Sequence, residues 1–333
     1  MSLHKFTSMT DAPAWAWWRN AKLRSTVDLQ SPLVVDLFAG AGGLGLGLEA
    51  AGLRTYGFEA DADACETYKA NLSSSDCVRT RLTAQTSWSH LVGVDVVAGG
   101  PPCQPFSGRG RQEGAADTRN GFPAFLAAVE TLRPQIFVAE NVRGMLFRNK
   151  AYLEEVVRDA QAMGYVVEVS LLNAADYGVP QKRERLFVVG RRGGTWRWPA
   201  PTVSSPVTVG AALGEAMFSH DVNSRFLTAA QDAYVSRYEI ASKCVRPRDL
   251  EVDRPARTVT CRNLASATSD MLRVRLPDGR RRMLSLREGA RLQSFPDDFA
   301  FKGGEASVAR QIGNAVPPLM ARAVALSVLA HIS

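Results

Sequence analysis

The run Leu33-Val34-Val35-Asp36-Leu37-Phe38, followed directly by Gly40-Ala41-Gly42-Gly43-Leu44-Gly45, constrains the fold more than any other stretch of this 333-residue chain. A short apolar run bounded by glycines reads as a strand buried on both faces, and the stretch to Ala51 reads as the helix after it. The glycines fit GxGxxG, and Glu59 follows Gly40 by 19 residues, at the end of a second strand, Thr55–Glu59. A carboxylate placed there suits the ribose hydroxyls of an adenosine-type cofactor. The pattern alone leaves NAD, FAD, S-adenosylmethionine and a purely structural glycine turn all open.

The alternation continues. A helix runs through Tyr68, strands cover Val94–Ala98, Gln135–Ala139 (ending at Glu140), Val166–Leu172 and Arg185–Val189, and helices cover Phe122–Leu132 and Tyr152–Met163. Short apolar strands separated by helices imply an α/β fold with a mostly parallel sheet covered on both faces, binding ligands at the carboxyl ends of its strands. After Arg191 the character changes. Gly193, Gly194, Pro199, Pro201 and Pro206 mark a boundary, and periodicity stays weak to about residue 283. Ala306–Ile332 reads as helix interrupted at 313–318. The expected division is therefore a cofactor-binding domain over 1–191, completed by 301–333, and a smaller irregular domain over 192–300.

Composition narrows the class. No apolar run nears the roughly 18 residues of a membrane span, and no basic stretch with an apolar block opens the chain. Neither a membrane anchor nor a secretory signal is expected. Five cysteines without a CxxC pair point to free thiols in a reducing cytoplasm, and no metal site is expected. The net charge of +7 is uneven: residues 1–178 hold 16 basic and 19 acidic side chains, residues 179–333 hold 24 and 14. Arginine makes up 33 of the 40 basic residues, which suits a polyanionic partner as well as it suits a GC-rich genome.

The most specific segment is Gly99-Gly100-Pro101-Pro102-Cys103-Gln104-Pro105-Phe106-Ser107. It puts a cysteine on a stiff turn at a strand's carboxyl end, where a nucleophile fits better than a small buried hydrophobe. With this segment, DLFAGAGG (Asp36–Gly43), ENV (Glu140–Val142), QKRERLF (Gln181–Phe187), RLQSFPDDF (Arg291–Phe299) and QIGNAVPP (Gln311–Pro318), the chain resembles the DNA (cytosine-5)-methyltransferase family. The six motifs stand in the family's order and cover almost all of the chain outside roughly 192–255.

The resemblance implies a Rossmann-like methyltransferase domain that binds S-adenosyl-L-methionine, a smaller target-recognition domain, and double-stranded DNA held between them. It implies Cys103 as the thiolate that adds to carbon 6 of a flipped cytosine, and Glu140 as the acid on ring nitrogen 3, its pKa raised when the site closes. Arg185 is implied at the base oxygen and Arg183 at the Cys103 turn, the two expected on one face of one strand. Cofactor contacts are implied at Phe38, Ala39, Gly40, Gly42, Gly43, Leu44, Glu59, Pro102, Asn314 and Val316. DNA contacts are implied at Ser107, Arg109, Arg257 and Thr258, with the Gln104–Thr118 loop closing over the base.

Two features depart from the family pattern. Thr80-Arg81-Leu82-Thr83 lacks the carboxylate that usually meets the adenine amine, leaving Asp76 or a backbone carbonyl to replace it. Ala60 follows Glu59 where some members carry a large residue. The chain is expected to act as a monomer; a separate restriction endonuclease in the same system would complement it, since no nuclease segment is visible. A tRNA cytosine-5 methyltransferase and a non-catalytic DNA-binding relative remain alternatives, although the CFT tripeptide of the RNA-modifying branch is missing and both Cys103 and Glu140 are present. An NAD-dependent dehydrogenase fits worst, because none of the four histidines stands in an active-site context.

Overall fold

The computed structural model describes residues 27–72, 76–102, 120–241, 243, 249–265 and 270–332. The chain divides into two compact units. The first comprises Arg24–Asn173, Glu184–Pro201 and Met320–Ser333; the second takes in Ala174–Arg183 and Thr202–Leu319.

In the first unit β1 (Leu33–Leu37), α1 (Gly43–Ala50), β2 (Arg54–Glu59), α2 (Ala62–Asn71), β3 (Cys77–Arg79) and β4 (Val96–Gly99) alternate as expected. Then come α3 (Phe122–Leu132), β5 (Ile136–Val142), α4 (Gly144–Phe147), α5 (Lys150–Ala162) and β6 (Val166–Asn173). After β7 (Gln181–Lys182), which belongs to the second unit, β8 (Glu184–Arg191) returns to this sheet.

The seven strands lie in the order β3-β2-β1-β4-β5-β8-β6. The run from β3 to β5 is parallel, and β8 is antiparallel to both its neighbours. This is the α/β, Rossmann-like architecture that the alternation implied. Val34, Val35, Leu37, Val96, Val97, Ile136 and Val138 are buried, as expected of strands covered on both faces. Phe125, Phe137 and Tyr165 meet edge-on beneath the sheet, adding specific packing to the apolar burial. Strand β3 has only three residues, too few for a periodic signal.

Among its described residues the second unit has no continuous sheet. It holds α6 (Val209–Leu213), α7 (Ala229–Ala241), β9 (Ala256–Arg257), α8 (Cys261–Ala265), β10 (Arg273–Arg275), β11 (Arg281–Met283), α9 (Leu286–Leu292) and α10 (Glu305–Asn314). β7 pairs with β9 and β10 with β11, each as an isolated two-stranded ladder. α11 (Pro318–Leu329) starts in this unit and belongs to the first from Met320.

The observed division differs from the expected borders at 191 and 300, and the reason is polar. Arg183 is fully buried, donating to the carbonyls of Val259 (2.8 Å), Gly313 (3.0 Å) and Ala315 (2.8 Å). Gln181 donates to Leu292 O at 2.7 Å and accepts from Val259 N at 3.0 Å. These bonds tie 181–183 to 259 and to 292–315. At Gly313 a Cβ would lie 2.0 Å from the Cys261 nitrogen, so only glycine lets α10 lie against α8. The expectation that Arg183 and Arg185 share a strand face is corrected: Arg183 lies between β7 and β8, and its guanidinium is used within the second unit.

Arg183→Met should therefore lower the stability of the second unit by about 3–5 kcal/mol, since three buried carbonyls lose their donor. Urea unfolding monitored by circular dichroism checks this; a midpoint equal to wild type would show that the carbonyls find other partners.

Candidate functional site

Strand order reverses at β1 and β4, and the carboxyl ends around that point carry the sequence-predicted groups. Phe38 leaves β1 with φ +56°, a left-handed conformation uncommon outside glycine. Gly42, with φ +87°, caps α1. A Cβ there would meet Tyr68 and Leu72 side-chain atoms at 2.9 Å, so the loop's underside is filled. Over Gly40 no described residue lies within 4 Å of an added Cβ. Among the described residues the loop is packed below and uncovered above Gly40.

Glu59 is fixed by backbone amides. Its Oε2 accepts from Gly40 N, and its Oε1 from Ala60 N and Asp61 N, each at 2.8 Å. Oε1 thus has both lone pairs engaged, while Oε2 keeps one, so the carboxylate is ordered and can still accept from a hydroxyl donor. Thr80 N donates to Glu59 O at 2.8 Å, which starts the Thr80–Thr83 segment beside this carboxylate. Asp76 has its carbonyl bonded to Gly57 N at 3.0 Å and its side chain exposed.

The proline turn is held from both sides. Asn141 donates from Nδ2 to Pro101 O at 2.9 Å, and Gly121 N donates to Pro102 O at 2.9 Å. A Cβ at Gly121 would stand 2.4 Å from Pro102 and 3.0 Å from Phe38, so these two rings converge there. The role of Asn141 was not assigned from sequence, although it adjoins Glu140 in the ENV motif. Cys103, Gln104, Ser107 and Arg109, with the loop through Thr118, lie outside the described residues.

Beside this turn Glu140 and Arg185 form an ion pair at 2.9 Å, their side chains 10% and 12% exposed. Residues 140 and 185 come from neighbouring strands, Val142 of β5 being registered against Arg185 of β8. Burial lowers the Arg185 pKa below its ordinary value, and the Glu140 charge opposes that shift. A Cβ at Gly100 would stand 3.2 Å from Glu140 Oε2, which places the carboxylate against the chain leading into the proline turn.

Asp36, on β1 below the glycine loop, is fully buried, and neither carboxyl oxygen makes a hydrogen bond with a described residue. Desolvation pushes its pKa up to about 8, with the Glu59 charge adding to the shift. The nearby Tyr68 hydroxyl, which donates to Thr55 at 2.9 Å, offsets only part of it.

Asn314, Val316, Arg257 and Thr258 belong to the second unit. Asn314 ends α10 and is exposed, and Val316 is buried. Arg257 was expected to contact DNA, but both its terminal nitrogens are bonded internally, to Asp270 Oδ1 (2.7 Å), Asp270 O (2.6 Å) and Met271 O (3.0 Å). The Thr258 hydroxyl donates to Lys182 O at 2.7 Å. Among the described residues no group of three or more His, Cys, Asp and Glu side chains is placed to hold a metal ion.

Comparison with known proteins gives one answer. A family model described as C-5 cytosine-specific DNA methylase matches residues 33–330. Type II methyltransferase M.AplI of Arthrospira platensis is 50% identical over 317 residues, spanning 94% of this chain and 91% of that protein. Type II methyltransferase M1.HphI of Haemophilus parahaemolyticus is 36% identical over 321 residues, spanning 89% and 86%. The solved structure of Entamoeba histolytica methyltransferase EhMeth superposes with a TM-score of 0.69 at 15% identity, over 91% of this chain and 99% of that one, a likeness of fold.

Asp36 gives the site a pH signature. Between the ordinary 3.8 and about 8 the folded protein keeps a proton that the unfolded chain releases. Its contribution to stability is complete below that window, falls as pH rises through it, and levels above it. Asp36→Asn removes the dependence, so urea unfolding should show the wild type losing ground to the variant as pH rises across the window. Parallel pH profiles would overturn the assignment.

Proposed function

The chain belongs to the C-5 cytosine-specific DNA methylase family, and from that premise we propose that it methylates carbon 5 of cytosine within a defined sequence of duplex DNA, as the modification enzyme of a restriction–modification system. The observation that carries the site assignment is the buried Glu140–Arg185 pair standing against a proline turn held by Asn141 and Gly121. That turn leads directly into Cys103.

The residues of the glycine loop fit S-adenosylmethionine, which when bound supplies an electrophilic methyl group. No described residue covers Gly40, and Glu59 Oε2 keeps a lone pair for a ribose hydroxyl. The ligand has no phosphate, so the glycines serve close backbone approach rather than anion binding. Phe38, Ala39, Gly42, Gly43, Leu44 and Pro102 line the same end of the sheet, and the backbone of Thr80–Thr83 stands in for the missing adenine carboxylate.

Carbon 5 of cytosine is a weak nucleophile until the Cys103 thiolate bonds to carbon 6 and the ring's electron pair moves to carbon 5. Glu140 assists by donating a proton or hydrogen bond to ring nitrogen 3, and Arg185 keeps Glu140 oriented while facing the base oxygen. Once carbon 5 carries the methyl group, a base removes its remaining hydrogen as a proton. The electron pair returns to the ring, and the sulfur–carbon bond breaks to restore the thiolate. None of this is reachable in a stacked duplex, so the cytosine is flipped out.

Incubation with labelled S-adenosylmethionine and separate duplex DNA and tRNA should place label on DNA alone. Label on tRNA alone would sink the substrate assignment, and no label on either would leave a binding module. Bisulfite sequencing then reads the target. Duplex carrying 5-fluorocytosine at the target should trap a covalent complex with the wild type and none with Cys103→Ser; an adduct persisting in that variant would refute the nucleophile.

A further inference from the structure

The β10–β11 hairpin of the second unit carries a guanidinium held firmly in place with its outer edge unused. In that ladder Arg275 stands directly opposite Arg281. Like charges so paired are destabilising unless a carboxylate bridges them. Asp249 is that bridge: its Oδ2 accepts from Arg275 Nε at 3.0 Å and from Arg281 Nε at 3.2 Å, and its Oδ1 from Arg273 Nε at 2.5 Å.

The bridge is itself rigid. Arg273 and Arg281 also pair with Glu239, and Arg281 with Asp232 at 2.9 Å, both acids on α7. The Arg273, Arg281 and Asp249 side chains are 0%, 5% and 9% exposed, whereas Arg275 is 48% exposed. Its Nη1 and Nη2 make no hydrogen bond with a described residue. Two other exposed arginines of this unit, Arg280 and Arg254, are held differently. Arg280 pairs with Asp278 two residues away, and Arg254 with Glu251 and Asp253, all exposed near-neighbours that move with them.

Stability does not account for Arg275. An ion pair whose cation is half exposed contributes little, and this one sets a positive charge against Arg281. The arrangement instead fixes Nε and leaves two parallel N–H donors pointing away from the carboxylate, with little rotamer entropy left to lose on binding. We propose that Arg275 contacts the DNA directly, forking its two terminal nitrogens onto a pair of acceptors, and that Asp249 is the positioning residue that aims it. Both a guanine edge and a phosphodiester present such a pair of acceptors. The inference rests on the reading of duplex DNA as substrate.

The test compares Arg275→Ala, Arg275→Lys, Asp249→Asn and Arg280→Ala with wild type. It measures kcat and KM for target duplex, duplex binding by fluorescence anisotropy at several salt concentrations, and the spectrum of methylated sites. Arg275→Ala should weaken duplex binding and raise KM by about tenfold, with kcat nearly unchanged. Arg275→Lys should recover only part of the loss, since lysine lacks the fork. Asp249→Asn should reproduce the Arg275→Ala effect at temperatures where it is folded, and Arg280→Ala should match wild type.

A guanine contact would add new methylated sequences; a phosphate contact would keep the target and reduce the salt slope by about one. Arg275→Ala indistinguishable from wild type in KM, binding, salt slope and spectrum would overturn the proposal, as would an equal loss in Arg280→Ala. Arg275→Ala alters only an exposed side chain, so it decides the matter even where Asp249→Asn fails to fold. A wild type that methylates no duplex would refute the functional reading, while the anisotropy comparison would still judge Arg275.

Discussion

The chemistry of the first unit depends on β1 and β4 lying side by side, with Leu37 registered against Gly99. A Cβ at Gly99 would stand 2.2 Å from the Leu37 carbonyl oxygen, so glycine is what permits this approach. The loops leaving the two strands then emerge together. From one end come Phe38 and the glycine loop, from the other the proline turn, and the rings of Phe38 and Pro102 meet at Gly121. Next to β4, strand β5 delivers Glu140 and Asn141 to the same level, Ala98 and Gly99 being registered against Val138 and Ala139. Glycine loop, proline turn and Glu140 are thus brought into one neighbourhood by parallel pairing before any side chain contributes.

Parallel pairing explains why so much of this unit was legible. A strand covered on both faces reads as an apolar run, and the helices between need length and amphipathic spacing; α3 falls on Phe122–Leu132 as read. The motifs singled out Glu140 and Arg185, and the structure sets them on neighbouring strands, where they pair. Legibility ended where residues act through backbone carbonyls. Asn141 and Gly121 hold the proline turn by single bonds to Pro101 and Pro102, and no periodicity or charge pattern announces such bonds. The ENV motif was the one available signal for Asn141.

The borders of the second unit were harder to read for the same reason on a larger scale. Its borders are set by Gln181 and Arg183 reaching residues 76 to 132 positions away, and a composition shift at Gly193 cannot report that. Small ladders of two and three residues leave many carbonyls without sheet partners. Buried arginines and glutamines supply the missing donors. An RxR pair in an apolar strand looks like two side chains on one face, yet the chain passes between units at Arg183 and Glu184, and its two arginines part company there.

This accounting also changes what the arginine-rich second half means. A surplus of 24 basic over 14 acidic side chains in residues 179–333 invites the picture of a surface broadly coated for DNA. Several of those arginines are interior. Arg183 satisfies three carbonyls, Arg282 grips Glu288 and Met217 O, and Arg273 and Arg281 are locked onto Asp249, Glu239 and Asp232. Arg257 holds the backbone at Asp270 and Met271. Much of the positive charge therefore builds the unit rather than binding anything. A residue such as Arg275 is informative because its Nε is anchored on a buried carboxylate while its two terminal nitrogens are not used by the described residues of the fold.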